Sequence, residues 1–179
     1  MANINGSRGA FGELIHAELT PQIQVKFPYL VNPRKLTTTT ANGGTATIAD
    51  SMMNIQTSTA VNGACTVVSK DVINYHAGQG VRIRFTAAFT LGRASSSQEV
   101  GYGDATDGFF FGYSGATFGV IRRTNGNDTF TAITAWSEYN TLQSKQSDFD
   151  PTYLNVYEII IQWLGAGMIY FPLRKKVDL

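Results

Sequence analysis

The stretch Gly101-Tyr-Gly-Asp-Ala-Thr-Asp-Gly-Phe-Phe-Phe-Gly-Tyr-Ser-Gly-Ala-Thr-Phe-Gly-Val-Ile-Arg-Arg123 decides how this chain folds. Aromatic and β-branched residues alternate with glycines and turn formers, the rhythm of two antiparallel strands joined near Ser114-Gly115. Because side chains alternate along a strand, Phe109 and Phe111 are expected on one face and Phe110 on the other. Large rings on both faces need cover on both sides. One face is therefore expected against the domain core, the other against a second sheet or a neighbouring subunit.

The same pattern continues outward from the block. Val81-Arg-Ile-Arg-Phe places Val81, Ile83 and Phe85 on one face with Arg82 and Arg84 on the other, and Thr129 to Trp136 reads as a further strand. Val156-Tyr-Glu-Ile-Ile-Ile-Gln-Trp-Leu is too continuously apolar for an edge and is expected to be central. Gly165-Ala-Gly167 then turns the chain into Met168 to Phe171, and Pro172 is expected to end it. Towards the N-terminus, Leu14 to Leu19 could open a short helix, and Gln22 to Phe27 alternates as a half-buried strand. Asn42-Gly43-Gly44 between threonine-rich runs signals a hairpin, with strands from Ala46 to Ser58 and from Ala64 to Lys70 after it. The expected fold is all-β, an antiparallel sandwich of jelly-roll or lectin-like type spanning 20–172. An N-terminal arm covers 1–19, and a basic C-terminal tail covers 173–179.

Composition agrees with this reading and excludes several classes of function. Charged residues make up 15% of the 179 residues, and 18 glycines accompany many threonines and aromatics, which suits pleated sheets with tight turns. A net charge of +1 provides no field for nucleic acid, and Arg174-Lys175-Lys176 reads as a solvated tail. No run approaches the ~20 apolar residues of a membrane span, and no secretory signal opens the chain. The sequons at Asn5 and Asn127 read as chance matches. Neither nucleic acid nor membrane is expected as a partner.

The residues that carry chemistry are sparse. His16 and His76 are the two histidines, His76 in a loop, and no Gly-x-Ser-x-Gly elbow surrounds Ser114. Cys65, the single cysteine, excludes a disulfide framework and reads as an inert strand thiol. Asp104 and Asp107 have the close spacing of a calcium loop, but well short of about six oxygen ligands, and an Asx turn entering a hairpin accounts for them better. The glycines at 101 and 103 lack the third glycine and the helix of a dinucleotide site. No catalytic residue, cofactor or metal site is assigned, and the chain is read as a non-enzyme.

Four blocks in order carry a likeness: Ala10-Phe-Gly-Glu-Leu-Ile-His-Ala-Glu-Leu-Thr-Pro21, Gly80-Val-Arg-Ile-Arg-Phe-Thr-Ala-Ala-Phe-Thr90, Gly108 to Arg123, and Asn155 to Ile169. Together they resemble a family of uncharacterised virion-type structural proteins of tailed phages and large DNA viruses. The resemblance implies a capsid, capsid-decorating or tail and fibre component located in the virion. Its partners would be further copies of itself and other virion proteins. The alternative is a carbohydrate- or receptor-binding module on the virion surface, with aromatics stacking on sugar rings and Asp104 and Asp107 giving polar or ion contacts. Family members continue beyond the Trp-Leu-Gly segment with further strands. Neighbouring copies or another virion protein are therefore expected to cover an exposed edge.

Overall fold

The computed structural model describes residues 20–74, 80–136, 149–162 and 169–174. The chain is all-β, with antiparallel sheets throughout. The described residues fall into two compact units, one up to residue 74 and one from residue 80 onward.

The first unit holds four strands, β1 (Leu36–Ala41), β2 (Thr45–Ala49), β3 (Met52–Gln56) and β4 (Ala64–Ser69). The turn expected at Asn42-Gly43 forms, with both residues at positive φ and the Gly44 amide donating to Ala41 O. The strands it joins do not pair with each other. Instead β1 pairs with β4, Leu36 opposite Ser69 and Ala41 opposite Ala64, while β2 pairs with β3. The reason lies in how the turn is anchored. Asn42 Nδ2 donates to the carbonyls of Val61 and Asn62, and Ser58 Oγ donates to Asn42 O, so the turn is held to the loop leading into β4. The run from Ala46 to Ser58 is likewise broken in two. Asp50 and Ser51 both take positive φ and join Ala49 to Met52 in a two-residue hairpin turn, a type I′ geometry that Asp tolerates.

Gln22 to Phe27 keeps the expected alternation, with Ile23, Val25 and Phe27 half-buried, but it joins no ladder among the described residues. Leu14 to Leu19, the loop containing His76, the greater part of the loop from Asn140, and the turn at Gly165-Ala-Gly167 lie outside the described residues.

The second unit is built on β5 (Val81–Ala87), β6 (Ser97–Gly103), β7 (Gly108–Ser114), β8 (Thr117–Thr124), β9 (Asn127–Ala132), β10 (Asn155–Ile161), β11 (Ile169–Tyr170) and β12 (Leu173–Arg174). One sheet is the consecutive meander β6-β7-β8-β9. The hairpin expected near Ser114-Gly115 is present, with Ser114 opposite Thr117. Its turn has positive φ at Gly115 alone, as a type II′ turn requires at its first central residue. In the second sheet β10 returns past the whole meander to pair with β5, Ile159 opposite Ile83, and takes β11 and β12 on its other edge. It is therefore central, as its apolar run implied. Pro172 does not end the strand region. It lacks an amide to donate but accepts from Glu158 N through its carbonyl, and the chain rejoins β10 at Leu173 and Arg174.

The core is formed by Phe89, Phe111, Tyr113, Phe118, Val120, Tyr157, Ile159 and Ile161, with Ile83 and Phe85 packed against them. Residues from both sheets thus meet face to face, a sandwich around a layer of rings. Phe109 and Phe111 share the core face, and Phe110 lies on the other, as alternation requires. The cover over Phe110, expected from a second sheet or a neighbouring subunit, comes from its own sheet, which leaves the ring buried. Gly108 and Gly103 leave room for its ring, whose Cζ lies where their side chains would begin, 2.6 and 2.9 Å from an added Cβ. The Arg123 guanidinium sits over the ring at 4.9 Å. Phe130 does the same over Gly119, at 2.8 Å from an added Cβ. Rings laid across strand glycines shield backbone that lacks a side chain of its own.

Candidate functional site

Among the described residues of the second unit, side chains of opposite charge gather in two places. The first is the end of the meander where the β6–β7 and β8–β9 connections meet. Asp104 Oδ1 accepts from the amides of Thr106 and Asp107 at 2.7 and 2.9 Å, the Asx geometry expected of this loop. The amides of Asp107 and then Thr106 hold its carboxyl below the usual range. Asp107 Oδ1 accepts from Asn125 N, and Gly126 N donates to Thr106 O, so the two loops are tied to each other.

Arg123 completes this cluster from β8. It makes a fork to Asp128 at 2.7 and 3.0 Å, donates to both carboxylate oxygens of Glu99 at 3.2 and 2.8 Å, and reaches Asp104 O. All five guanidinium N–H donors are thereby used. Donation to Asp128 and then to Glu99 raises its pKa further above the ordinary arginine value, and Arg123 in turn holds Asp128 below the carboxylate range.

The second gathering is in the β5–β10 sheet. Glu158, only 1% exposed, receives Arg82 Nε and, at 3.2 Å, Arg84 Nη2. The register explains the set, since Glu158 stands directly opposite Arg84, and Arg82 is its diagonal neighbour. Burial pushes the Glu158 carboxyl up, but the hydrogen bond and charge of Arg82, with those of Arg84, outweigh it and hold the group below its ordinary value.

The other residues singled out in the sequence are scattered. Ser114 is exposed at the end of β7, beside a turn. Cys65 is half-buried in β4 opposite Thr40, where burial pushes its thiol up and lowers the thiolate fraction. His16, His76, Lys175 and Lys176 lie outside the described residues. Among the described residues no three His, Cys, Asp or Glu side chains are grouped to hold a metal ion, and no helix is long and apolar enough to cross a membrane. The carboxylates of Asp104, Asp107, Glu99 and Asp128 all hold protein partners, so these clusters fasten loops and strands together.

A different kind of surface marks the first unit. From Leu36 to Val68 the sequence carries one ionisable acid, Asp50, and no Lys, Arg or Glu. Thr37 to Ala41 are all exposed, as are Met52, Ile55 and Val68. Leu36 is the one hydrophobic side chain of this unit buried among the described residues. Sequence reading marked the threonine runs as strands but did not mark them as a bare surface. The cue was the absence of charge over so long a stretch.

Comparison with protein-family models, with curated proteins and with solved structures finds no match to this chain. The likeness to virion-type proteins therefore rests on the four sequence blocks quoted above.

Proposed function

We propose that the chain is a non-enzymatic structural component of a virus particle, acting through protein–protein assembly contacts. The observation that carries this reading is the first unit's uncharged, exposed sheet surface over almost no core. Ordering each residue costs about 1–2 kcal/mol in backbone entropy, whereas one buried leucine contributes about 1.5–3 kcal/mol. The half-buried strands of this unit gain from cover by another protein surface, which an assembly provides. The polar clusters of the second unit support the same reading, because their ion pairs brace the sandwich and bind carboxylates that a reaction would need free.

The glycan- or receptor-binding alternative draws on exposed aromatics and on Asp104 and Asp107, whose carboxylates accept from backbone amides of the β6–β7 and β8–β9 loops. Mass spectrometry of purified particles of the virus encoding this chain tests the proposal. The chain is expected in stoichiometric amounts, and its absence from particles would overturn the reading.

A further inference from the structure

The three long sheet edges of the second unit carry charge, whereas the two-residue β11 carries none. β5 has Arg82 and Arg84, β6 has Glu99 and β9 has Asp128. Charges of this kind stop an edge from pairing with another chain. The first unit lacks them. Its β1 strand, Leu36-Thr-Thr-Thr-Thr-Ala41, contains no charge and no proline, and its six-residue register with β4 runs without a bulge. Among the described residues β1 pairs on one side only, in a two-stranded sheet, and five of its six residues are exposed. A sheet of two strands is marginal alone, and four consecutive β-branched threonines have high strand propensity.

From this contrast we propose that β1 pairs antiparallel with β1 of a second copy of the chain, extending β4-β1 into a four-stranded sheet across a two-fold axis. A two-fold contact sets a surface against itself, so any charge on it meets its own sign. The neutral β1 strand meets no such repulsion, and threonine faces threonine across the axis, a favourable cross-strand pair. The nearest cations, Arg34, Lys35 and Lys70, gather where β1 starts and β4 ends, with Lys70 N donating to Lys35 O and Lys70 Nζ to Pro33 O. Antiparallel pairing places the cations of the two copies at opposite ends of the new sheet. The β4 strand is a poorer partner, because its alternate residues are already half-buried.

The inference stands on edge geometry and does not require the virion reading. A dimer absent from particles would remove that reading alone, and a monomer found in particles would remove this one alone. The test is sedimentation velocity on the full chain and on a Thr38→Lys/Thr40→Lys variant. The wild type is expected to dimerise, and the variant to associate at least tenfold more weakly while keeping its far-ultraviolet circular dichroism. A wild type that stays monomeric at high concentration overturns the proposal, whether residues 1–19 or nothing occupies the edge. So does a folded variant that associates as well as the wild type. Should the lysines prevent folding, single cysteines at each of Thr37 to Thr40 in a Cys65→Ser background decide the matter. Oxidative cross-linking at one or more of the four, with none at Thr47→Cys in β2, supports the pairing, and no cross-link at any of the four overturns it.

Discussion

The ring of Phe111 in β7 lies with its centroid 5.0 Å from that of Tyr157 in β10, both residues fully buried. This contact joins the two sheets at the centre of the ring layer, where Phe111 also meets Phe85 and Phe171 edge-on. Truncation there leaves a cavity lined by side chains that the strands hold in place. Phe111→Ala is expected to destabilise the second unit by about 3–5 kcal/mol, read as a lowered denaturation midpoint. A loss under about 1 kcal/mol would show that the rings do not pack as described.

Tyr157 provides a spectroscopic counterpart. Burial pushes its phenol up to about 12. The folded state favours the neutral phenol, so this stabilisation is complete below the ordinary value of 10.0. It is lost as pH rises from there towards about 12. Ultraviolet titration is expected to show a tyrosine that ionises only beyond the ordinary range and is absent from Tyr157→Phe, while Tyr113, whose phenol burial also pushes up, stays in both. An unchanged count of late-titrating tyrosines in that variant would assign the effect elsewhere.

Arg123 holds loops that are otherwise solvent-facing, so its removal tests bracing rather than core packing. Arg123→Met keeps much of the apolar stem over Phe110 but loses the fork to Asp128 and the bonds to Glu99 and Asp104. Charge-assisted hydrogen bonds of this kind contribute about 1.5–3 kcal/mol each when well shielded, and less with the carboxylates exposed. A loss of about 1–3 kcal/mol in total is expected, together with faster amide exchange at Thr106, Asp107 and Asn125. Unaltered exchange at those amides would mean that the loops hold without it.

Much of the second unit was legible from local pattern. Alternation put Phe109 and Phe111 on one face with Phe110 on the other, and set Arg82 and Arg84 opposite Val81, Ile83 and Phe85, while its unbroken apolar run made the Val156 segment central. Pairing was less legible, because register depends on contacts distant in sequence. The Asn42-Gly43 turn has the chemistry of a hairpin, yet Ser58 and the carbonyls of Val61 and Asn62 redirect it, and nothing near residue 42 signals that. The Asp50-Ser51 turn lacked a glycine to announce it. The cover over Phe110 was misjudged since the glycines that admit its ring, Gly103 and Gly108, stand on either side of a loop and become neighbours only once β6 and β7 pair. Glu158 belongs to no motif, and its partners appear only with the β5–β10 register.

That register makes Glu158 a buried group through which acid acts on the fold, beside the exposed carboxylates of Asp104 and Asp128. Its folded-state pKa lies below the ordinary 4.5, so its contribution is present above that value and is lost as pH falls through the folded one. Glu158→Gln preserves the shape but removes the charge that Arg82 and Arg84 face. Breaking a fully buried pair costs about 3–5 kcal/mol, and partial exposure of both arginines, at 27% and 54%, reduces the expected loss to about 2 kcal/mol at neutral pH. Protonation does to the wild type what the substitution does permanently. The two stability curves are therefore expected to converge as pH falls through the folded-state pKa, below the ordinary 4.5. Curves that stay parallel down to acid unfolding would show that the carboxylate contributes nothing through its charge.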